Sequence, residues 1–309
     1  MSFTTTIKEE ISRIENARSE SISELSGFLR NNGTCTDNTI DLLTENATVA
    51  KRIYQLMKDI YDVTCEIESR KNMNFSKNNL YLIMINEKVP FILRDLSITN
   101  EKGIFLEEPN DYIVGSEEET RAYLRGAFLS KGSINDPKTA RYHLEFLIEE
   151  KEEANFILKL LNGFDLNSKI INRDKGYMVY IKEAEKIGDF LRIINANQAV
   201  LYYEDIRIYR DHKNMTNRLN NCEQANMDRI IETATKQIED IEYLKDNIGL
   251  DLLDDKTREV VEYRLKYPES SLLELSEIIS YETGKSITKS GLNHRFRKIR
   301  ELVSKMKEG

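Results

Sequence analysis

The order of apolar and polar positions along the chain predicts two similar halves followed by a helical region. In residues 1–98, apolar residues at three- and four-residue spacing indicate helices and short apolar runs indicate strands, in the order α-β-α-β-β-α, where the element before the central helix is a single strand or a hairpin. The same order recurs in residues 99–195. We therefore predict an α+β fold for residues 1–195, in which each half is a small antiparallel sheet covered by helices.

Each half is predicted from local signals. In the first half we expect a helix at 7–16, a helix ending at Gly33, strands at 39–44, 64–68 and 80–85, a helix that Asn46 caps, and a short helix at 90–96. In the second half we expect a helix opened by a capping box at 116–119, a strand at 142–148, a helix through 154–161, a hairpin of strands 168–171 and 177–181, and a helix at 183–194.

A nine-residue pattern occurs twice, at Leu25–Gly33 and at Leu124–Gly132, and the two copies are 99 residues apart. The inner glycines, Gly27 and Gly126, predict two helices that approach closely at a pseudo-two-fold axis. The final glycine of each copy is expected to end its helix in left-handed geometry. The pattern resembles the LAGLIDADG signature of homing endonucleases, so residues 1–195 are expected to form a degenerate domain of that kind.

The C-terminal part is expected to be a separate all-α domain. Residues 196–222 are interpreted as a linker, and the chain is predicted to become helical from Glu223 onward. A helix at 256–267 is followed by a capping box at Ser271, a turn at Gly284 and a basic amphipathic helix from about Thr288. A short helix, a turn and a basic helix are typical of a helix-turn-helix unit, which we place in residues 223–309.

The outer face of the last helix carries the candidate chemistry. Asparagine and arginine can each form two hydrogen bonds with a base edge, while lysine suits phosphates. The alternative is a solvated cationic helix end, where basic residues favour the helix dipole. On the first interpretation double-stranded DNA is the partner, and the candidate DNA-binding residues are Lys289, Ser290, Asn293, His294, Arg295, Arg297, Lys298 and Arg300.

Charge and composition narrow the function classes. The chain carries a net charge of −8, but residues 285–309 carry +6 and the remainder carries −14, which suggests a C-terminal surface that faces a polyanion. The three cysteines and three histidines are scattered without metal-ligand spacing, so we expect no metal and no cofactor. We find no membrane-length apolar run and no secretory signal, and expect a cytoplasmic, nucleoid-associated protein that makes no membrane contact.

Three segments in this order resemble the WhiA family of bacterial regulators: Tyr123–Lys138, Asn217–Asn226 and Ser286–Ile299. The resemblance covers essentially the whole chain. It implies a degenerate homing-endonuclease fold joined to a C-terminal helix-turn-helix, and a non-enzymatic role in transcriptional control of sporulation or of cell division and chromosome segregation. It leaves the oligomeric state, the target sequence and the regulated genes open.

The positions that bind metal in active LAGLIDADG enzymes are altered in this sequence. The resemblance places Asn32 and Lys131 where those enzymes carry the acidic residue before the final glycine. Magnesium prefers carboxylate oxygens, and a lysine ammonium would repel it, so we expect no catalytic residue. The remaining alternatives are a scaffold whose N-terminal domain docks another regulatory protein, and a metal-dependent endonuclease.

Overall fold

The structure is a computed structural model that describes residues 2–36, 38–71, 79–139 and 141–308. The chain divides into two compact units, residues 1–210 and residues 211–309. The division falls inside the segment 196–222, which the sequence led us to interpret as a linker. Each unit is described separately below.

The first half of the N-terminal unit is a four-stranded antiparallel sheet with helices. Its strands lie in the order β1-β2-β4-β3, with Leu42 opposite Ile83 and Ile67 opposite the same residue on the other side. Strands β1 and β2 pair antiparallel, so the strand before the central helix is the hairpin that the sequence left open. The elements are α1 (Phe3–Ile11), α2 (Arg18–Asn32), β1 (Thr34–Cys35), β2 (Ile40–Thr44), α3 (Ala47–Tyr61), β3 (Glu66–Lys71), β4 (Asn79–Ile85) and α4 (Val89–Asp95).

The second half repeats this arrangement, which confirms the predicted duplication and the α+β fold class. Its strands lie in the order β5-β6-β8-β7, which is the order of the first sheet. The capping box at Ser116 is present at the start of α5. The elements are α5 (Glu117–Lys131), β5 (Gly132–Ile134), β6 (Leu144–Ile148), α6 (Lys151–Gly163), β7 (Lys169–Arg173), β8 (Gly176–Ile181) and α7 (Ala184–Ile193).

Helices α2 and α5 pack directly on each other at their inner glycines. A Cβ atom on Gly27 would lie 2.3 Å from the carbonyl oxygen of Tyr123, and one on Gly126 would lie 2.0 Å from that of Glu24. These separations are far below van der Waals contact, so only glycine permits the approach. The close approach predicted from the repeat is therefore confirmed.

The terminal glycines of the repeat behave differently from the prediction. Gly33 and Gly132 have φ values of −83° and −78°, which is extended rather than left-handed backbone. The chain enters β1 or β5 within one residue of each helix end, so there is no reversal for a left-handed residue to make. A Cβ atom on Gly132 would lie 2.7 Å from the Cα of Phe128. Glycine is needed there because of crowding and not because of handedness.

A buried ionic cluster joins the helices of this unit. The carboxylate of Glu24, which is fully buried, accepts hydrogen bonds from Arg125 Nε at 2.8 Å and from Arg52 Nε at 2.9 Å. Arg125 is itself only 1 % exposed, and its Nη2 donates to Asn16 Oδ1. Removing one partner would leave a buried charge unpaired, so the cluster fixes how α2, α3 and α5 fit together.

The C-terminal unit is helical, but its first helix starts earlier than we predicted. Helix α8 runs from Asn197 to Ile248 without interruption, so the expectation that the chain becomes helical only from Glu223 was wrong. The part of α8 after Arg210 belongs to this unit, together with α9 (Asp255–Lys266), α10 (Leu272–Thr283) and α11 (Lys289–Glu308). The buried core of the unit comprises Ile241, Leu244, Val260, Val261, Leu275, Ile279, Leu292, Phe296, Ile299 and Val303.

Two further features concern the chain as a whole. Within the described ranges, no helix is both long enough and apolar enough to cross a membrane. The three cysteines are all free. Cys65 is buried and Cys35 is half-buried, whereas Cys222 on α8 is exposed.

Candidate nucleic-acid interface

The turn between α10 and α11 is built by local sequence signals. Ser271 and Glu274 form a capping box, in which each side chain accepts a hydrogen bond from the backbone N–H of the other residue. Helix α10 ends at Gly284, which has φ of +71° and so adopts the left-handed geometry that favours glycine. The hydroxyl of Thr288 accepts a hydrogen bond from the N–H of Gly291 at the start of α11. The predicted helix, turn and helix are thus present.

The inner face of α11 is anchored in the core of the C-terminal unit. Leu292, Phe296 and Ile299 are at most 5 % exposed. The guanidinium of Arg264 lies 5.5 Å from the centre of the Phe296 ring, and its Nη1 donates to the carbonyl oxygen of Ser270 at 2.6 Å. One side of α11 is therefore fixed, and the opposite side faces solvent.

The structure places seven of the eight candidate DNA-binding residues on the exposed part of α11, and Arg295 is the half-buried exception. Nη1 of Arg295 lies 3.9 Å from Asp254 Oδ1, on the side of the helix that faces α9. The exposed seven are Lys289, Ser290, Asn293, His294, Arg297, Lys298 and Arg300.

Some of the exposed side chains already form hydrogen bonds or ion pairs with other residues of the chain, and others do not. Arg297 Nη2 lies 3.1 Å from His294 Nδ1, and Arg297 Nε lies 3.8 Å from a Glu301 carboxylate oxygen. Arg300 Nε lies 3.6 Å from Asp240 Oδ2. The pair of Arg297 with Glu301 is solvent-exposed, and such pairs are weak enough to exchange for a phosphate, whereas Asp240, the partner of Arg300, is half-buried. Four of the candidate side chains form no hydrogen bond or ion pair within the described residues: those of Lys289, Ser290, Asn293 and Lys298.

One edge of α11 forms a cleft with α8, which sequence reasoning missed. The cleft has a volume of about 460 Å³. Lys236 Nζ lies there 2.6 Å from Glu232 Oε1, and Arg229 lies two helical turns before Lys236. The recurrence of basic residues at helical spacing in α8 could have revealed it. The lining residues are Arg229, Glu232, Thr233, Lys236, Gln237, Asn293, Phe296, Arg297 and Arg300.

Asn32 and Lys131 lie at the ends of α2 and α5, as the repeat requires, and both side chains are already engaged. Asn32 Oδ1 accepts a hydrogen bond from the N–H of Leu43 at 2.7 Å. Lys131 Nζ lies 3.2 Å from Glu149 Oε1. Both residues line a cleft of about 750 Å³ together with Lys8. Burial, together with the positive charge of Lys131, lowers the pKa of the Lys8 ammonium to about 8. The cleft therefore holds two ammonium groups, Lys8 and Lys131, together with the carboxylates of Glu9 and Glu45, and position 131 carries a lysine where a metal would need an acid.

The outward faces of the two sheets differ in charge. Antiparallel partners share a face, so Asp41, Met84 and Glu66 lie together on the first sheet, on the side away from the buried Ile83. Leu43 lies on the same face and is 44 % exposed. The corresponding face of the second sheet carries Glu145, Leu147, Lys169, Ile171, Met178 and Tyr180.

Comparison with known proteins relates the chain to WhiA proteins over most of its length. Three family models match the chain: the WhiA N-terminal LAGLIDADG-like domain over residues 18–99, the WhiA LAGLIDADG-like domain over 120–213, and the WhiA C-terminal HTH domain over 216–303. The chain is 46 % identical to proteins named "Probable cell division protein WhiA" from Bacillus cytotoxicus and Bacillus mycoides, across 100 % of this chain and 98 % of each relative.

Solved structures agree with this match. The crystal structure of full-length WhiA from Thermotoga maritima superposes with a TM-score of 0.59 at 27 % identity, and the match covers 99 % of both chains. A crystal structure of the N-terminal LAGLIDADG domain of WhiA superposes with a TM-score of 0.51 at 28 % identity, covering 62 % of this chain and 90 % of that one.

Proposed function

The chain belongs to the WhiA family, and from this premise we propose that it is a non-enzymatic, DNA-binding transcriptional regulator of cell division, chromosome segregation or sporulation. One observation carries the proposal. Helix α11 is held by a buried inner face and presents Asn293, Arg297 and Lys298 to solvent. A helix-turn-helix reads DNA by placing such a helix in the major groove.

The division of labour on α11 follows from its side chains. Asn293 and Arg297 can each form paired hydrogen bonds with base edges, in the patterns that suit adenine and guanine respectively. Lys289 and Lys298 are point charges suited to phosphates, and Ser290 can donate to a phosphate oxygen. Arg295 is turned toward α9 and Asp254, so we assign it to holding the unit together and not to base contact.

Salt dependence of duplex binding tests the proposal. The probe is a duplex enriched by the full chain from a randomised pool, and affinity is measured by fluorescence anisotropy over a range of salt concentrations. We expect Lys298→Ala to reduce the slope of log affinity against log salt by about 0.9, because one phosphate contact is lost. Arg297→Ala should in addition weaken discrimination between the enriched duplex and random DNA.

Lys102→Ala is the control, since it removes the same charge from an exposed turn in the N-terminal unit. Its slope should match that of the unaltered protein. Absence of duplex binding by the unaltered protein would refute the proposal, as would an equal loss of slope in Lys102→Ala.

The non-enzymatic part of the proposal rests on Asn32, Lys131 and Lys8. In the described part of the chain, no group of three or more histidine, cysteine, aspartate or glutamate side chains could hold a metal ion. Restoring both acids as Asn32→Asp with Lys131→Asp should still give no magnesium-dependent nicking of supercoiled plasmid, because Lys8 remains beside position 131. Nicking by this double variant, absent from Asn32→Ala with Lys131→Ala, would contradict that account.

A second candidate function is docking of another regulatory protein by the N-terminal unit. The observation that favours it is the outward face of the first sheet, where exposed Leu43 lies with the acidic residues Asp41, Glu66 and Glu68. An acidic and apolar face is poorly suited to a phosphate backbone, whereas it suits a basic protein surface. This role is compatible with DNA binding by the C-terminal unit.

A further inference from the structure

The middle of α8 is unusual because nothing in the described chain covers it. Every residue from Asp211 to Arg229 is exposed, although the helix is unbroken through this stretch. Most helices in proteins are stabilised by packing of an apolar face. This segment therefore either acts as a bare spacer or has a surface that something else contacts.

Its composition is wrong for a bare spacer. Five asparagines lie between positions 214 and 226, and asparagine costs about 0.5 kcal/mol relative to alanine in a helix. No acidic residue occurs from His212 to Cys222, in a chain that has 53 acidic residues. A spacer selected only for rigidity would favour alanine, glutamate and lysine. Exposed amides that weaken their own helix indicate a contact surface.

Several polar and basic residues of this segment lie along one side of α8. Asn214, Arg218, Asn221 and Arg229 recur at spacings of four, three and eight residues, so they form one stripe along α8. Seven residues after Arg229 the same stripe reaches Lys236. Both of these basic residues line the cleft with Asn293 and Arg297 of α11. The stripe is therefore continuous with the proposed DNA-reading edge.

We propose that this stripe of α8, defined by Asn214, Arg218, Asn221 and Arg229, is a second DNA-contacting surface that extends the interface of α11 along the duplex. The arginines would bind phosphates and the amides would donate to phosphates or base edges. The distance from Asn214 to Lys236 is about 33 Å at the rise of an α-helix. That is close to one turn of the duplex, about 34 Å. The inference rests on DNA binding by α11.

Adjacent residues provide matched controls. Asn220 and Asn221 are neighbours with the same side chain, but a residue step of 100° turns Asn220 out of the stripe. Lys213 is likewise exposed and basic, and it lies about 140° around the helix from Arg218. None of these four side chains forms a hydrogen bond or ion pair within the described ranges. Each change to alanine should maintain or raise helicity, so weakened binding would not reflect unfolding.

The experiment measures duplex affinity of the full chain with the enriched duplex described above. We expect Arg218→Ala to weaken binding about fivefold and to reduce the salt slope by about 0.9, and Asn221→Ala to weaken it about threefold. Lys213→Ala and Asn220→Ala should stay within about twofold of the unaltered protein. Hydroxyl-radical footprints should lose protection at one end only, over up to about 10 base pairs.

The outcomes separate this inference from the proposed function. Equal effects of Arg218→Ala and Lys213→Ala, or no effect of either, would overturn the stripe while Arg297→Ala still tests α11. A change in oligomeric mass by light scattering without a change in affinity per chain would make the stripe a contact between two copies, and would also overturn it. Failure of the unaltered chain to bind duplex would remove both proposals.

Discussion

At Gly27 and Gly126 the backbones of α2 and α5 come so close that any Cβ atom would overlap a carbonyl oxygen of the other helix. The obstacle is backbone in both cases, so no side-chain rotation can relieve it. The helices must then move apart, and the buried pairing of Glu24 with Arg125 would lengthen with them. On each helix, the glycine Cα and the carbonyl oxygen that faces the other helix therefore set the distance between α2 and α5.

Replacing Gly126 by alanine should lower the free energy of unfolding by about 3 kcal/mol, because over-packing against backbone cannot relax locally. Gly163 provides the control. It is also a helical glycine, but a Cβ atom there would meet nothing within 4 Å. Gly163→Ala should be neutral or stabilise by up to about 1 kcal/mol. Urea unfolding of both variants measures the difference, and similar stabilities would show that the helices can separate at little cost.

At the scale of elements, the helices and strands were largely predictable because their burial follows simple periods. Both capping boxes, the hairpin around residues 174–176 and the turn at Gly284 follow from local sequence. The start of α8 did not. The missed part is residues 197–222, in which Ala199 and Tyr203 are buried near the start. The stretch from Asp211 to Cys222 buries nothing, so it lacks the core-facing stripe by which a helix is recognised, and its asparagines favour other conformations.

The candidate site was predictable only on one helix. The spacing of residues on α11 separated the buried Leu292, Phe296 and Ile299 from an exposed face. It did not separate them completely, because the apolar Leu302 is 43 % exposed and Arg295 is half-buried. The pairing of Arg295 with Asp254 and the cleft that includes Arg229 depend on which helices become neighbours. Such tertiary neighbours are not set by periodicity within a single element, so they required the structure.

Arg264 joins three helices of the C-terminal unit and offers a prediction at this scale. It lies on α9, donates to the carbonyl oxygens of Tyr267 and Ser270 before α10, and stacks over Phe296 of α11. Arg264→Ala should destabilise this unit by about 2–3 kcal/mol, because the part-buried carbonyl oxygen of Ser270 loses its donor and the Phe296 ring loses the guanidinium packed over it. Hydrogen exchange should therefore accelerate across α10 and α11. Lys256→Ala, an exposed change on the same helix, should leave hydrogen exchange unaltered. Equal protection of α10 and α11 from exchange in the two variants would show that Arg264 is dispensable.

At the scale of the whole molecule, the charge distribution separates two kinds of surface. Residues 285–309 carry a net charge of +6 while the rest of the chain carries −14. Within the N-terminal unit the first sheet presents Asp41, Glu66 and Glu68 outward, whereas the second presents one acidic residue, Glu145, beside the basic Lys169. A duplicated fold has therefore diverged in charge between its halves, so the two sheets are not equivalent surfaces for one polyanion.

This divergence leads to a prediction about what touches the first sheet in cells. Leu43 on β2 and Leu147 on β6 are matched probes, because each is 44 % exposed on the outward face of its sheet. A photo-crosslinking residue at position 43 should capture a protein partner, since an apolar and acidic face excludes phosphates but can bury against a basic protein surface. The same residue at position 147 should capture that partner far less. Crosslinks to DNA from position 43 would contradict a docking role for the first sheet, because a phosphate backbone should avoid Asp41 and Glu66. Equal capture of the same protein from both positions would also contradict it, because a partner selected by charge should distinguish the two sheets.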